Sequence, residues 1–398
     1  MHRHNSPVHG RHARWVAVVG AAVLVLLYIN RDFFERVQVT AGSNVRSIQY
    51  VPMTEADTET LSTMDSARCR AALSLNPLEA FETVMPIPTD DAPDQVSMFY
   101  RLRNLGIMEG DGYIKDAVLL VVVYNNKESW GTGRTVQDFV QLVLSFDYPT
   151  TKVSLGILTS SLDEYDMLKQ LFHAILTTAR WAQVTLIYRN DLASVSSRGR
   201  RHSASVQKER RRMLARYRNY ALSQSLESWH SHVVWIDADI AVIPSYLVSK
   251  MVAAKLDILQ PLCHLTGTNF DYDLNAWHGN RKLPTQEELE AYRQGNFLFV
   301  PGPADDGLTR HMNDMRWHEF YPLDSVGGTM LYVKADIHRQ GVVFTTHHVI
   351  GSDWKYEGYD GIETEGLCYV AGMLGYKCYA MPQDIIYHHP MSKKERAS

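Results

Sequence analysis

Two carboxylates one residue apart, Asp237 and Asp239, close the run Val233-Val234-Trp235-Ile236-Asp237-Ala238-Asp239-Ile240. An apolar, β-branched stretch of this length reads as a buried strand. Ionised Asp is rarely buried without a partner, so two at a strand's end call for a cation, and Ala238 leaves room for one. In an α/β sheet the carboxyl ends of strands are where ligands dock. A hard divalent ion held by one or two carboxylates completes its shell with substrate phosphates. The chemistry implied is a metal gripping the diphosphate of a nucleotide-sugar, a Lewis acid for the charge that builds on the leaving group. The bare triplet is common by chance; its place at a strand end makes it informative. Asp239 is the candidate direct ligand, and Asp237 the candidate for the ribose or a water-bridged contact.

The elements that must position these acids show in the periodicity. Asp116–Tyr124 is a continuous apolar run, typical of a parallel strand covered on both faces. A helix follows, opened by Thr135 and Asp138 in the manner of a cap, with Val136, Phe139, Val140, Val143 and Leu144 on one face. Strands are expected over Lys152–Thr159 and Val184–Tyr188, with a helix carrying Leu168, Leu171, Phe172 and Ile175 between them. A longer helix over Val206–Leu226 then leads into the Asp-x-Asp strand. Such alternation gives an α/β fold, a parallel sheet with helices on both sides. Neither G-x-G-x-x-G nor a Walker A loop is present, which argues against a dinucleotide enzyme or a P-loop ATPase. Beyond Pro244 the pattern turns irregular and rich in Gly, Trp, Tyr and His, as segments that bind an acceptor often are.

The ends say where such a domain would work. Trp15–Ile29 is an uninterrupted apolar run with Arg3, Arg11 and Arg14 before it. This reads as a signal-anchor with a cytosolic N-terminus and a lumenal remainder, short but within reach of thin secretory membranes. The expected organisation is a cytosolic tail over 1–14, a transmembrane helix over 15–29, a lumenal stem over 30–112 with one helix around Asp65–Leu75, a catalytic domain over 113–390 and a tail over 391–398. A net charge of −4 offers no argument for a nucleic-acid partner. Four cysteines are too few for a disulfide scaffold; Cys368 with Cys378 is the local candidate pair, and Cys69 lies in the stem.

Several stretches occur together in a fixed order: NNKESWGTGRTVQDF from Asn125, RRMLARYRNYAL from Arg211, VVWIDADI from Val233, YDLNAW from Tyr272, LDSVGGTMLYVKADIHRQGVVF from Leu323, ETEGLCYVAGMLGY from Glu363, and a final His388. In these the chain resembles the fungal Golgi α-mannosyltransferases that form mannan polymerase complexes. The resemblance implies a GT-A-like, Rossmann-type nucleotide-diphospho-sugar transferase as a single catalytic domain, with GDP-mannose as donor and Mn²⁺ (or Mg²⁺) as cofactor. It also implies transfer to mannan or N-glycan outer chains, α-1,6 and with retention, by a single-pass type II Golgi membrane protein assembled with related transferases. His388 matches the family's terminal His and would join Asp239 as a metal ligand, since Mn²⁺ accepts imidazole readily; a solvated pair His388-His389 is the plain structural alternative.

Other candidates carry their own alternatives. On the helix before the metal strand, Arg211, Arg212, Arg216 and Arg218 form a charge run, and at least half of it should be a solvated face. Arg216 and Asn219 share a face three residues apart and are the candidates to reach the donor. The loop Arg198–Arg201 reads as a flexible cover. Asp273, ranked above Asp271, and Asp324 beside Gly327-Gly328 are candidate sugar contacts; an Asx-turn is the alternative for the first. Of Glu363 and Glu365, Glu365 is favoured to face a sugar, against a simple role at a helix N-terminus. Two further functions stand beside the transferase: a scaffold subunit with little transfer of its own, and a transferase for another sugar nucleotide.

Overall fold

The computed structural model describes residues 45–46, 78–87, 95–191 and 204–389. The anchor at 15–29, the stem helix around Asp65–Leu75, Cys69, the loop Arg198–Arg201 and the tail 391–398 lie outside the described residues. Among the described residues no helix is long and apolar enough to cross a membrane.

The segment expected as stem supplies the first strands of the sheet. β1 (Val45–Arg46) pairs with β2 (Leu78–Pro86), and β2 runs antiparallel to β3 (Val96–Asn104) from Leu78↔Asn104 to Pro86↔Val96. β3 in turn pairs antiparallel with β6 (below), so the sheet reaches well into 30–112. These strands escape a periodicity search because β2 is half exposed along its length and carries Glu79, Glu82 and Thr83 among its apolar residues.

β4 (Val118–Tyr124) is apolar throughout because both of its faces are covered. Val118, Leu120, Val122 and Tyr124 pack into one buried cluster, Leu119 and Val121 into the other. Fully burying each such side chain is worth roughly 1.5–3 kcal/mol. α1 (Val136–Leu144) is capped as expected, with Thr135 N donating to Asp138 Oδ2 at 2.8 Å. β5 (Val153–Thr159), α2 (Leu162–Ala179), β6 (Gln183–Tyr188), α3 (Ala204–Ser225) and β7 (His232–Ile236) complete the alternation. β6, β5, β4 and β7 lie side by side in that order and all parallel. The chain therefore steps outward from β4 to β6, then returns to the other side of β4. That reversal opens a crevice at the carboxyl ends of β4 and β7, where ligands dock in open α/β sheets.

The remaining strands correct the expectation of a parallel sheet. After β8 (Ile240–Val242), α4 (Leu247–Ala254), β9 (Ile258–Leu265), β10 (Trp277–His278), α5 (Gln286–Arg293), β11 (Arg310–His311) and β12 (Tyr321–Leu323), β13 (Met330–Lys334) enters antiparallel between β7 and β9. α6 (Ala335–Arg339) and α7 (Thr364–Met373) precede β14 (Cys378–His388), which is parallel to β9 and antiparallel to β12 and β8. The fold is a mixed α/β sheet of twelve strands among the described residues, with β10 and β11 paired apart from it. Cys368 and Cys378 form the anticipated disulfide, and Cys263 is buried and reduced.

One buried imidazole gives the fold a measurable pH dependence. His338 accepts from Trp235 Nε1 at 3.2 Å and directs Nδ1 at the Val342 carbonyl at 2.7 Å. A proton on Nε2 would confront the indole N–H, and burial holds the pKa down to about 4. The unfolded chain binds this proton first, so the contribution is intact above the unfolded value near 6.5 and is lost as pH falls toward 4. The loss is on the order of 3 kcal/mol at its largest. Urea unfolding of the wild type should therefore weaken more steeply from pH 6.5 to 4.5 than that of His338→Gln; parallel curves would refute the assignment.

Candidate active site

The Asp-Ala-Asp segment is a tight turn between β7 and β8. Asp237 N donates to Thr329 O at 2.9 Å and Ile240 N to Asp237 O at 3.1 Å. β8 pairs with the end of β14, with Ile240 opposite His388, and His389 N donates to Asp239 O at 2.8 Å. This backbone pairing places the His388 side chain against Asp239, Nε2 to Oδ2 at 3.0 Å. The imidazole is fixed on its other side too. Its Nδ1 lies 2.6 Å from the His389 carbonyl, and its ring stacks on Tyr272 with centroids 3.8 Å apart. Burial alone would lower the His388 pKa; the bond to Asp239 and that residue's charge outweigh it and raise the value.

This donor set fits a divalent ion of the manganese kind. A carboxylate oxygen and an imidazole nitrogen 3.0 Å apart match neighbouring corners of an octahedron with bonds of about 2.1 Å. An N–H directed at a carbonyl is the usual support of a metal-binding imidazole. Among the described residues no group of three or more His, Cys, Asp or Glu side chains is placed to hold a metal ion, so the pair would offer two protein donors. An ion at Asp239 and His388 would take phosphate and water in its other positions.

Asp237 lies beside this pair under different constraints. Its Oδ1 accepts from Arg218 Nη2 at 2.9 Å, while 37% of the side chain stays exposed to the cleft. Burial pushes its carboxyl up to about 7; Arg218 pulls it down, and the charges of Asp239, Asp273 and Glu363 push it up again. Arg218 itself is buried, with Nη1 on Glu363 Oε1 at 2.6 Å and Nη2 also near the Gly328 carbonyl at 3.3 Å. The ion pairs continue inward: Arg211 bridges Glu363 and Glu365 at 3.2 and 2.8 Å, and Arg281 bridges Glu365 and Asp360 at 2.7 and 3.4 Å. Acids thus outnumber arginines at the cleft end of the chain, which leaves negative charge for a cation.

Two glycines make this packing possible. A Cβ on Gly327 would lie 2.0 Å from Asp273 Oδ2, and one on Gly328 2.6 Å from Arg218 Nη2. Asp273 is buried against them, its Oδ2 accepting from Gln260 Nε2 at 3.3 Å and from Thr329 N and Oγ1 at 3.2 and 3.0 Å.

The structure thus brings Asp237, Asp239, Asp273 and His388 together, but treats the other candidates differently. Arg216 is exposed on α3 and Asn219 exchanges hydrogen bonds with the Phe344 backbone, while it is Arg218 that meets the acids. Residues 216 and 218 lie roughly 200° apart around a helix. Glu365 is buried between Arg211 and Arg281. Asp324 stands half exposed in a loop, bonded to His278 Nδ1 and Gly279 N, both at 2.8 Å. Lys208, Arg211, Ala215 and Arg218 form one stripe at helical spacing, and its basic members meet Glu357, Glu363, Glu365 and Asp237.

Removing one partner of a buried ion pair strands the other charge, at about 3–5 kcal/mol. Arg218→Met should accordingly lower unfolding stability on that order, while Arg216→Ala changes it by less than about 0.5 kcal/mol. Equal effects in urea titrations would contradict the placement of the two arginines.

The Anp1 family model matches residues 98–348. The mannan polymerase complex subunit mnn9 of Schizosaccharomyces pombe is 33% identical over 263 residues, covering 62% of this chain and 74% of that protein. The mannan polymerase complex subunit MNN9 of Candida albicans is 29% identical over 65% of this chain and 72% of its own length. The mannan polymerase II complex anp1 subunit of S. pombe is 26% identical over 75% and 70%. Among solved structures, a mannosyltransferase from Pyrobaculum calidifontis in complex with GDP-Man and Mn²⁺ aligns at 14% identity over 74% of this chain and 66% of that one, with a TM-score of 0.41. With matched segments that span β3 to the loop before α7 and include the Asp-x-Asp turn, the chain belongs to the Anp1 family.

Proposed function

We propose that this protein is a divalent-metal-dependent glycosyltransferase of GT-A type, transferring mannose from GDP-mannose to mannan or N-glycan outer chains, α-1,6 and with retention. The observation that carries this reading is the Asp239–His388 pair, 3.0 Å apart at the switch point of the parallel strands. The mannan polymerase names of relatives support mannose as the sugar. They also support a hetero-oligomer with related transferases. The setting that goes with this reading is the Golgi membrane, with residues 15–29 as a type II anchor and the domain in the lumen.

A cation held by Asp239 and His388 supplies Lewis-acid stabilisation of the leaving diphosphate. The protein's own groups do the positioning. The His389 carbonyl keeps a proton on His388 Nδ1, so Nε2 is the nitrogen presented to the cleft. Asp237 offers its second oxygen to a ribose hydroxyl or to ordered water, its first being held by Arg218. Asp273, immobilised by Gln260 and Thr329, presents a fixed carboxylate suited to sugar hydroxyls. A second reading, a subunit that holds nucleotide and supports active partners, draws on the same names, since they are names of complex subunits.

Purified protein with GDP-mannose, Mn²⁺ and an α-mannoside acceptor tests the proposal. Transfer should require the metal, and Asp239→Asn or His388→Ala should lower kcat by roughly 100-fold or more, equivalent to about 2.7 kcal/mol. Full activity in Asp239→Asn would remove the metal reading. A wild type that binds GDP with Mn²⁺ yet transfers nothing without partners would favour the supporting subunit. Stabilisation by UDP and not GDP, read as a thermal shift worth about 2.7 kcal/mol at one hundred times Kd, would change the donor.

A further inference from the structure

Glu363 adopts a backbone conformation that side chains other than glycine avoid, φ 62° and ψ −120°. Such a residue costs on the order of 1–3 kcal/mol and persists only where its surroundings over-determine it. It stands at the N-cap of α7, yet its side chain makes no capping hydrogen bond. Its main chain is pinned instead by a bond from its N–H to the Thr345 carbonyl at 2.9 Å. The carboxylate turns to α3, where Oε1 takes Arg218 Nη1 at 2.6 Å and Oε2 takes Arg211 Nε at 3.2 Å. The strained backbone serves the contact with arginine, not the helix.

Arg218 carries that contact to the cleft. Its Nη2 is shared between Asp237 Oδ1 and the Gly328 carbonyl, so the guanidinium plane is fixed from both ends and Asp237 Oδ1 is held while over a third of its side chain stays exposed. Glu363 thus sets where the Arg218 guanidinium stands, and Arg218 sets where Asp237 Oδ1 stands, two residues along the turn from Asp239.

We propose that Glu363 is a positioning residue of the cation site, acting through Arg218 to hold Asp237 oriented beside the Asp239–His388 pair. This inference rests on the reading of Asp239 and His388 as a metal pair. Outer-shell partners of this kind are worth about 10–100-fold in metal affinity when removed.

The test is the Mn²⁺ dissociation constant of the purified protein, measured by titration calorimetry or by free-Mn²⁺ electron paramagnetic resonance, alone and with GDP. Glu363→Gln keeps the shape and removes the charge; about 10-fold or greater weakening is expected. Gly328→Ala displaces Arg218 without touching any acid, since the new Cβ would meet Nη2 at 2.6 Å and Nη1 at 2.8 Å. It should weaken Mn²⁺ comparably, and the double variant should weaken it less than the product of the two, because both act through one guanidinium. Glu357→Gln is the control. It unpairs Lys208 and Arg212 on the same helix and should leave Mn²⁺ affinity unchanged while urea midpoints report any loss of stability. Unchanged affinity in both Glu363→Gln and Gly328→Ala, with wild-type binding intact, overturns the positioning role alone. A wild type that binds no Mn²⁺ with or without GDP overturns the metal reading beneath it.

Discussion

A buried guanidinium must be matched by acids that come to it, and Arg218 imposes that condition on three separate parts of the chain. Its partners Asp237 and Glu363 lie 19 and 145 residues away. Stranding either charge costs several kcal/mol, so α3, the end of β7 and the approach to α7 are tied to one geometry. The neighbouring pairs through Arg211 and Arg281 extend the same constraint to Glu365 and Asp360. The glycines at 327 and 328 are the complement of this demand: they remove the two Cβ atoms that would occupy the space of Asp273 and Arg218.

The site lies on a seam between two kinds of sheet. The parallel strands β4 to β7 supply the crevice and the Asp-x-Asp turn, by the general rule for open α/β sheets. The mixed strands β13, β9 and β14 supply Thr329 just before β13, the Tyr272 ring after β9, and His388 at the end of β14. Neither half holds the complete donor set. Asp239 and His388 meet only because β8 pairs with β14 at Ile240 and His388.

Legibility in the sequence followed burial pattern. β4, β5, β6 and the Asp-x-Asp strand were evident because a strand covered on both faces is rich in apolar residues, and α1 because its cap and stripe agree. β2 and β3 were hidden in the expected stem, since polar and charged residues such as Glu79, Glu82, Arg101 and Arg103 interrupt their apolar positions. β9 and β14 were hidden by interior polar residues and proline, Gln260, Pro261 and His264 in one, Pro382, Gln383 and Asp384 in the other. At the site, the Asp-x-Asp could be read because two acids after an apolar run are locally unusual. Arg218 could not be separated from Arg216, because a basic run looks like a solvated face until its acids are known. Those acids arrive 19 and 145 residues later only through tertiary packing, and helix phase, not spacing alone, decides which arginine meets them.

His388 occupies the last position of the last described strand, and that has a consequence for biogenesis. Ribosomal synthesis proceeds from the amino terminus, so the parallel core and the Asp-x-Asp turn emerge and can collapse before β14 exists. Until that strand docks along β9 and β8, Asp239 lacks its imidazole neighbour and the Tyr272 ring lacks its stacking partner. A chain halted before β14 would thus hold much of the scaffold while lacking the Asp239–His388 pair and the Tyr272 stack.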